Sequence, residues 1–262
     1  MSVYHREQPQ FLREALDSIF SQTLLPDEVV LVKDGPLTKE LDEVVEEFAV
    51  RYGGRLHIVP LAENVGLGRA LNAGLEACSY DLVARMDSDD ISVPNRFEQQ
   101  LALFEQDECL SVVSGWVEEF DELGESRIKR LPENDQELKA YALKRCPIHH
   151  PCVMFRKSIV LQSGSYQHFY LLEDYYLWIR MIQNGAKFYN IQAPLLRFRS
   201  SSDMFRRRGG WCYAKSEFRL FKHMYQNDMI GLGGFIFNAS ARFVVRIAPT
   251  WFRQWVYIKL LR

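Results

Sequence analysis

The sequence predicts an α/β protein: a mostly parallel sheet flanked by helices, followed by a helical C-terminal extension. Two observations carry that class. Short apolar runs of strand length, Val29–Val32, Leu56–Pro60 and Leu82–Met86, are bounded by turn or charged residues. Between them lie segments with apolar residues at helical spacing. Strand and helix signals alternating at this interval imply parallel strands joined by crossover helices.

In order, Ser2–Tyr4 reads as the end of a strand, and Phe11, Leu12, Ala15, Leu16 and Ile19 mark a helix over Gln10–Gln22. Val29–Val32 stops at the turn cluster Lys33-Asp34-Gly35-Pro36. A helix over Lys39–Tyr52, a strand over Leu56–Pro60 and a helix over Gly68–Cys78 follow. The strand Leu82–Met86 runs directly into Asp87-Ser88-Asp89-Asp90, and Pro94 opens a helix over Asn95–Glu105. A strand over Ser111–Phe120 leads to a polar surface stretch, Asp121–Asp135. The remaining signals are helices over Glu137–Leu143 and Glu173–Gln183, a strand over Cys152–Phe155, and a helix-like, aromatic, basic tail beyond Gly209. The division expected is one domain over residues 1–208 and an extension over residues 209–262.

With 47% hydrophobic and 13% aromatic residues, the chain supports a large core and is no disordered segment. Net charge is only -2, which gives no reason to invoke nucleic acid. Its distribution is uneven: residues 197–262 hold 13 Lys and Arg against 3 Asp and Glu, while residues 1–196 hold 19 against 31. An acidic body with a basic tail points to an anionic partner for the tail. Five cysteines without a CxxC pair suit a reducing compartment, so a cytoplasmic location is expected. The most apolar stretch, Ile230 to Pro249, is broken by Asn238, Arg242 and Arg246 and should not span a bilayer.

Ligands in parallel α/β sheets bind beyond the carboxyl ends of the strands, and Asp34 and Asp87 both fall there. Asp87 and Asp89 offer two carboxylates where a divalent cation could share phosphate oxygens, although such a cluster is also a common solvated turn with Asp90 as a helix cap. Asp174, in a first helical turn, should stay ionised and could accept a proton from a hydroxyl; an acidic first turn also serves plain helix stability. Gly66, Gly68 and Gly74 fit a dinucleotide fingerprint poorly, since the last glycine comes six residues after Gly68. His149 and His150 point apart on an extended segment and do not share a metal. Arg197, Arg199 and Arg206–Arg208 suit phosphate contact or form a solvated loop.

The chain resembles family 2 glycosyltransferases of the GT-A fold, of the type that builds amylovoran, other bacterial exopolysaccharides and O-antigen. The matching pieces run in order along nearly the whole chain: Leu12–Ile19, Leu31–Thr38, Asn64–Gly74, Ala84–Ser92, Pro94–Gln100, His150–Lys157, Glu173–Trp178 and Arg206–Gly210. The resemblance implies a nucleotide-sugar donor, most often a UDP-sugar in the family, a glycan or undecaprenyl-diphosphate-linked saccharide acceptor, a Mg²⁺ or Mn²⁺ ion, and inversion by a single displacement. It assigns Asp34, Asn64, Gly66 and Arg69 to the nucleotide pocket, Asp87 and Asp89 to the metal and diphosphate, and Asp174 to the catalytic base. It also places Arg199 and Arg206–Arg208 over the diphosphate. Lys33 stands where many relatives have Asp, and the first strand is shorter than theirs. A sugar nucleotidyltransferase, or a non-catalytic nucleotide- or saccharide-binding relative, is the competing expectation. For the tail, Arg242, Arg246, Arg253 and Lys259 among Phe235, Phe237, Phe243, Trp251, Trp255 and Tyr257 suggest an in-plane helix on the inner face of an anionic membrane, against a helix packed on the body.

Overall fold

The computed structural model describes residues 1–121, 124–200 and 209–247. Three parallel strands come first: β1 (Ser2–Val3), β2 (Val29–Lys33) and β3 (Leu56–Pro60), in the order β1-β2-β3. They are linked by α1 (Pro9–Phe20) and α2 (Lys39–Tyr52), and α3 (Leu67–Ala77) follows β3. The apolar run of β2 is buried on both faces, as a central parallel strand requires, whereas β3 is largely exposed at the edge. Leu12, Leu16, Leu31, Leu41 and Phe48 make up much of the core between this sheet and its helices.

The second sheet has the order β4-β8-β6-β9-β5, with β7 paired to β6. Its strands are β4 (Leu82–Ala84), β5 (Ile91–Ser92), β6 (Leu110–Phe120), β7 (Ser126–Lys129), β8 (Met154–Arg156) and β9 (Lys187–Arg199). Only the long β6–β9 pair is parallel; β4–β8, β8–β6, β5–β9 and β6–β7 are antiparallel. The helices of this half are α4 (Arg96–Gln106), α5 (Asp135–Ala142), α6 (Lys157–Gln162) and α7 (Glu173–Gln183). The parallel α/β frame is therefore present, and a mixed sheet extends it. The expected surface stretch over Asp121–Asp135 contains β7, and α4 starts at Arg96 with Asn95 as its cap residue, so Asp90 caps nothing there.

Beyond residue 208 two helices form a hairpin, α8 (Trp211–Gln226) and α9 (Leu232–Ile247). The inner face of α8 (Tyr213, Leu220, Phe221 and Met224) packs with Phe169, Tyr175 and Ile179 in one apolar cluster. Arg242 and Arg246 do not face outward among the aromatics. Arg242 Nη1 donates to Glu217 Oε1 at 2.6 Å, and Arg246 Nε donates to Glu217 Oε2 at 2.8 Å. Glu217 is 3% exposed, so it holds both guanidinium groups from the buried side of the hairpin. Among the described residues no helix is long and apolar enough to cross a membrane. Arg206–Arg208, Trp251, Arg253, Trp255, Tyr257 and Lys259 lie outside the described residues.

Candidate active site

The loops after β1, β2, β3 and β4 all carry polar residues, and hydrogen bonds tie them in pairs. Asp34 follows β2 and is buried; its Oδ1 accepts from the Val65 backbone N–H at 2.7 Å, and its carbonyl accepts from Asn64 Nδ2 at 3.3 Å. Gly35 makes this approach possible. Its φ is +83°, and a Cβ there would lie 2.7 Å from the Asn64 nitrogen. Gly66, also at positive φ, caps α3 without a side-chain hydrogen bond, which leaves the first-turn N–H groups to another acceptor. Arg69 is exposed in that turn. Lys33 reaches away from these loops to Asp42 on α2, 2.5 Å away.

Asp87, Asp89 and Asp90 follow β4, and one carboxylate oxygen from each lies within 4.8 Å of the others. Around Mg²⁺, with ligands at about 2.0–2.1 Å, adjacent oxygens sit about 3 Å apart and opposite ones about 4.2 Å, so a small side-chain adjustment suffices. Two further observations fit a cation. Burial first, then the charges of Asp87 and Glu7, push the Asp89 carboxyl up to about 7. Fully buried Asp90 leaves Oδ2 without a hydrogen-bond partner among the described residues, while its Oδ1 accepts from the Arg199 N–H at 2.9 Å. A hard cation relieves that crowding of negative charge.

Sequence reasoning overlooked the groups that hold this loop. Buried Arg85 grips both oxygens of Asp87, with Nη1 donating to Oδ2 at 2.9 Å and Nη2 donating to Oδ1. Its signal was there: a charged residue inside an otherwise apolar strand run. Glu7, after β1, accepts from Ser88 Oγ at 2.7 Å. Arg199 does not hang free over a phosphate position. Its Nη2 donates to Glu14 Oε2 at 2.6 Å, its Nε donates to the Asp89 carbonyl at 3.0 Å, and its guanidinium lies 3.8 Å from the Phe11 ring centroid.

Asp174 sits in the first turn of α7, half-buried, with the Cys146 thiol 3.9 Å from its Oδ2. That turn and the Tyr166 segment before it both meet α3. A Cβ on Gly68 of α3 would lie 3.4 Å from Glu173 Cγ. The Asn72 side chain pairs with the Tyr166 backbone, donating to its carbonyl at 2.8 Å and accepting from its N–H at 2.9 Å. The Tyr166 hydroxyl lies 2.9 Å from His150 Nε2, and burial above all, with Asp174 and Asp87 added against Arg85, raises its pKa. His150 is held well below its usual pKa by burial and then by Arg85, so it is a neutral partner of Tyr166.

Glu173 differs from its neighbour. Burial, partly offset by backbone N–H donors and reinforced by Asp174, raises its carboxyl to about 7. The folded state thus holds this proton more tightly than the unfolded chain. Stability from Glu173 is complete below the unfolded pKa of about 4.3 and is lost as pH rises to about 7. Glu173→Gln should therefore raise the melting temperature at pH 8 by about 2–4 °C and leave it nearly unchanged at pH 4. An equal shift at both pH values would contradict the assignment.

Three carboxylates set together in the loop after β4 of an α/β fold form an arrangement able to hold a cation beside a phosphate-bearing ligand. The family model for glycosyl transferase family 2 matches residues 1–163, and the chain belongs to that family. It is a glycosyltransferase, which sets aside the nucleotidyltransferase expectation. The chain is 42% identical over 266 residues to the UDP-Gal:alpha-D-GlcNAc-diphosphoundecaprenol beta-1,3-galactosyltransferase of Escherichia coli, covering 100% of this chain and 95% of that one. It is 40% identical over 259 residues to the amylovoran biosynthesis glycosyltransferase AmsE of Erwinia amylovora, covering 99% and 97%. The fold is that of S. aureus TarS 1–349, solved in complex with UDP-GlcNAc: TM-score 0.67 at 15% identity, covering 94% of this chain and 71% of that one. The Pyrobaculum calidifontis mannosyltransferase PcManGT, solved with GDP-Man and Mn2+, gives a TM-score of 0.66 at 16% identity, covering 92% and 68%. Family and cluster together support a divalent cation.

Proposed function

We propose that the chain transfers a sugar from a UDP-sugar to a hydroxyl of an undecaprenyl-diphosphate-linked saccharide, with inversion, in the assembly of a bacterial surface polysaccharide. The observation that carries this reading is the end-to-end likeness to the E. coli galactosyltransferase, whose name specifies such a donor and acceptor. Residues 1–208 would be the transferase domain and residues 209–262 its extension. Five cysteines outside any disulfide and a lipid-linked acceptor favour work at the cytoplasmic face of the membrane.

Asp34, Asn64, Gly66 and Arg69 bind the nucleotide in this reading, with the buried Asp34 carboxylate fixed by Val65 and the bare α3 N-terminus facing negative charge. Asp87 and Asp89, with Asp90 behind them, hold Mg²⁺ or Mn²⁺, which when bound offsets charge on the departing diphosphate. Arg85 and Glu7 fix the loop so that these carboxylates need no reorganisation. Asp174 accepts the acceptor hydroxyl's proton, and Tyr166 with His150 walls the space between the acidic groups. Arg199 acts by anchoring the Asp89 carbonyl and the Asp90 carboxylate to β9 and α1.

A panel of UDP-, dTDP- and GDP-sugars, each with Mg²⁺ or Mn²⁺ and a lipid-diphosphate-linked saccharide, tests the proposal. Acceptor-dependent release of UDP from one UDP-sugar is expected. Binding of every donor without turnover, or turnover only with dTDP- or GDP-sugars, would refute it.

A further inference from the structure

Because Arg242 and Arg246 turn inward to Glu217, the outward side of α9 carries no charge. Its exposed apolar residues are Leu232, Ile236, Phe237 and Phe243, and Phe237 is 72% exposed. On α8 the exposed Trp211 and Phe218 lie seven residues apart, hence on one stripe. Ring contacts merge the two helices into a single surface: Trp211 meets Phe243 edge-on at 5.6 Å, and Phe218 meets Phe235 at 5.5 Å. Beside the α8 stripe runs an exposed basic row, Lys215, Arg219 and Lys222, while Glu217, the one acidic residue of α8, is buried on the inner side.

We propose that the outer face of the α8–α9 hairpin docks on an anionic phospholipid surface, with the apolar residues entering the headgroup boundary and the lysines meeting lipid phosphate. An amphipathic helix pair of this pattern lies in the interface plane, and anionic headgroups attract nearby cations. Charge complementarity decides the occupant. A second copy would bring an identical, uncompensated basic row to the contact, whereas a layer of phosphates neutralises it. The sequence after α9 adds Arg253, Lys259 and Arg262 and no acidic residue, in keeping with such a partner. The inference deepens the lipid-linked-acceptor reading and rests on it for its purpose, because docking would bring the enzyme to its acceptor.

The test is co-sedimentation of the full chain with phosphatidylcholine vesicles, with and without phosphatidylglycerol. The wild type should bind the phosphatidylglycerol vesicles. Ile236→Glu with Phe237→Glu, and separately Lys215→Glu with Lys222→Glu, should each weaken binding at least about tenfold. Both variants should melt like the wild type and transfer normally to a water-soluble acceptor analogue. Three results would overturn the surface: no vesicle binding by the wild type, equal binding by both variants, or a wild-type dimer that Phe237→Glu splits. Binding lost in Trp251→Glu with Trp255→Glu but kept in the α9 variant would overturn it too. Transfer to neither acceptor by any form would sink the acceptor reading while the vesicle result still judged the surface.

Discussion

Asp174→Asn should slow acceptor-dependent release of nucleoside diphosphate by about 10²- to 10⁴-fold while leaving the donor KM nearly unchanged. Asparagine keeps the size of the side chain but cannot take a proton, so the loss falls on the chemical step and not on donor binding. The setting of Asp174 favours that role. It stands in the first turn of α7, half-buried. Glu173→Gln is the companion measurement. Glu173 packs against Gly68 and lies one residue away, so it should lose little activity. Near-normal transfer by Asp174→Asn with collapse in Glu173→Gln would move the base to Glu173.

Asp89→Asn should cost about 10²- to 10³-fold in the rate at fixed cation concentration, the usual effect of removing one charge-stabilising group. The cation concentration for half-maximal rate should rise as well. Asp89 is half-buried, and burial first, then the charges of Asp87 and Glu7, push its carboxyl up to about 7. Such a group gains most from an adjacent cation. Asp87 differs, because Arg85 already occupies both of its oxygens. A steady-state titration with Mg²⁺ and with Mn²⁺ separates the two effects. An unchanged rate at unchanged cation demand would remove Asp89 from the metal site.

The comparison of expectation with structure divides along physical lines. Lys39–Tyr52, Leu56–Pro60 and Glu173–Gln183 appear with the expected bounds: the two helices each bury apolar residues at helical spacing, and the strand pairs with β2 over all five of its residues. Strand β9 was missed. Pro194 interrupts it, and a proline ordinarily argues against an interior strand; here it sits opposite Trp116, where the register with β6 shifts. Strand β5 is two residues long, too short to show a period. Arg242 and Arg246 were misread for a related reason: a cation on a helix does not declare which side holds its partner, and Glu217 lies on a different helix.

Chemistry that is local in the chain was legible from sequence alone. The Asp87–Asp90 run follows a strand, the Asp34–Gly35 turn ends another, and the acidic turn opens α7; each depends on neighbours a few residues away. Tertiary structure alone decided which of these charges are compensated and by what. The clamp of Arg199 on Glu14 spans 185 residues, the Ser88–Glu7 contact spans 81, and the Asn72–Tyr166 pairing spans 94. A charge has no preferred sequence distance to its partner, only a spatial one, so chain order names the ionisable groups while folding sets what each one meets.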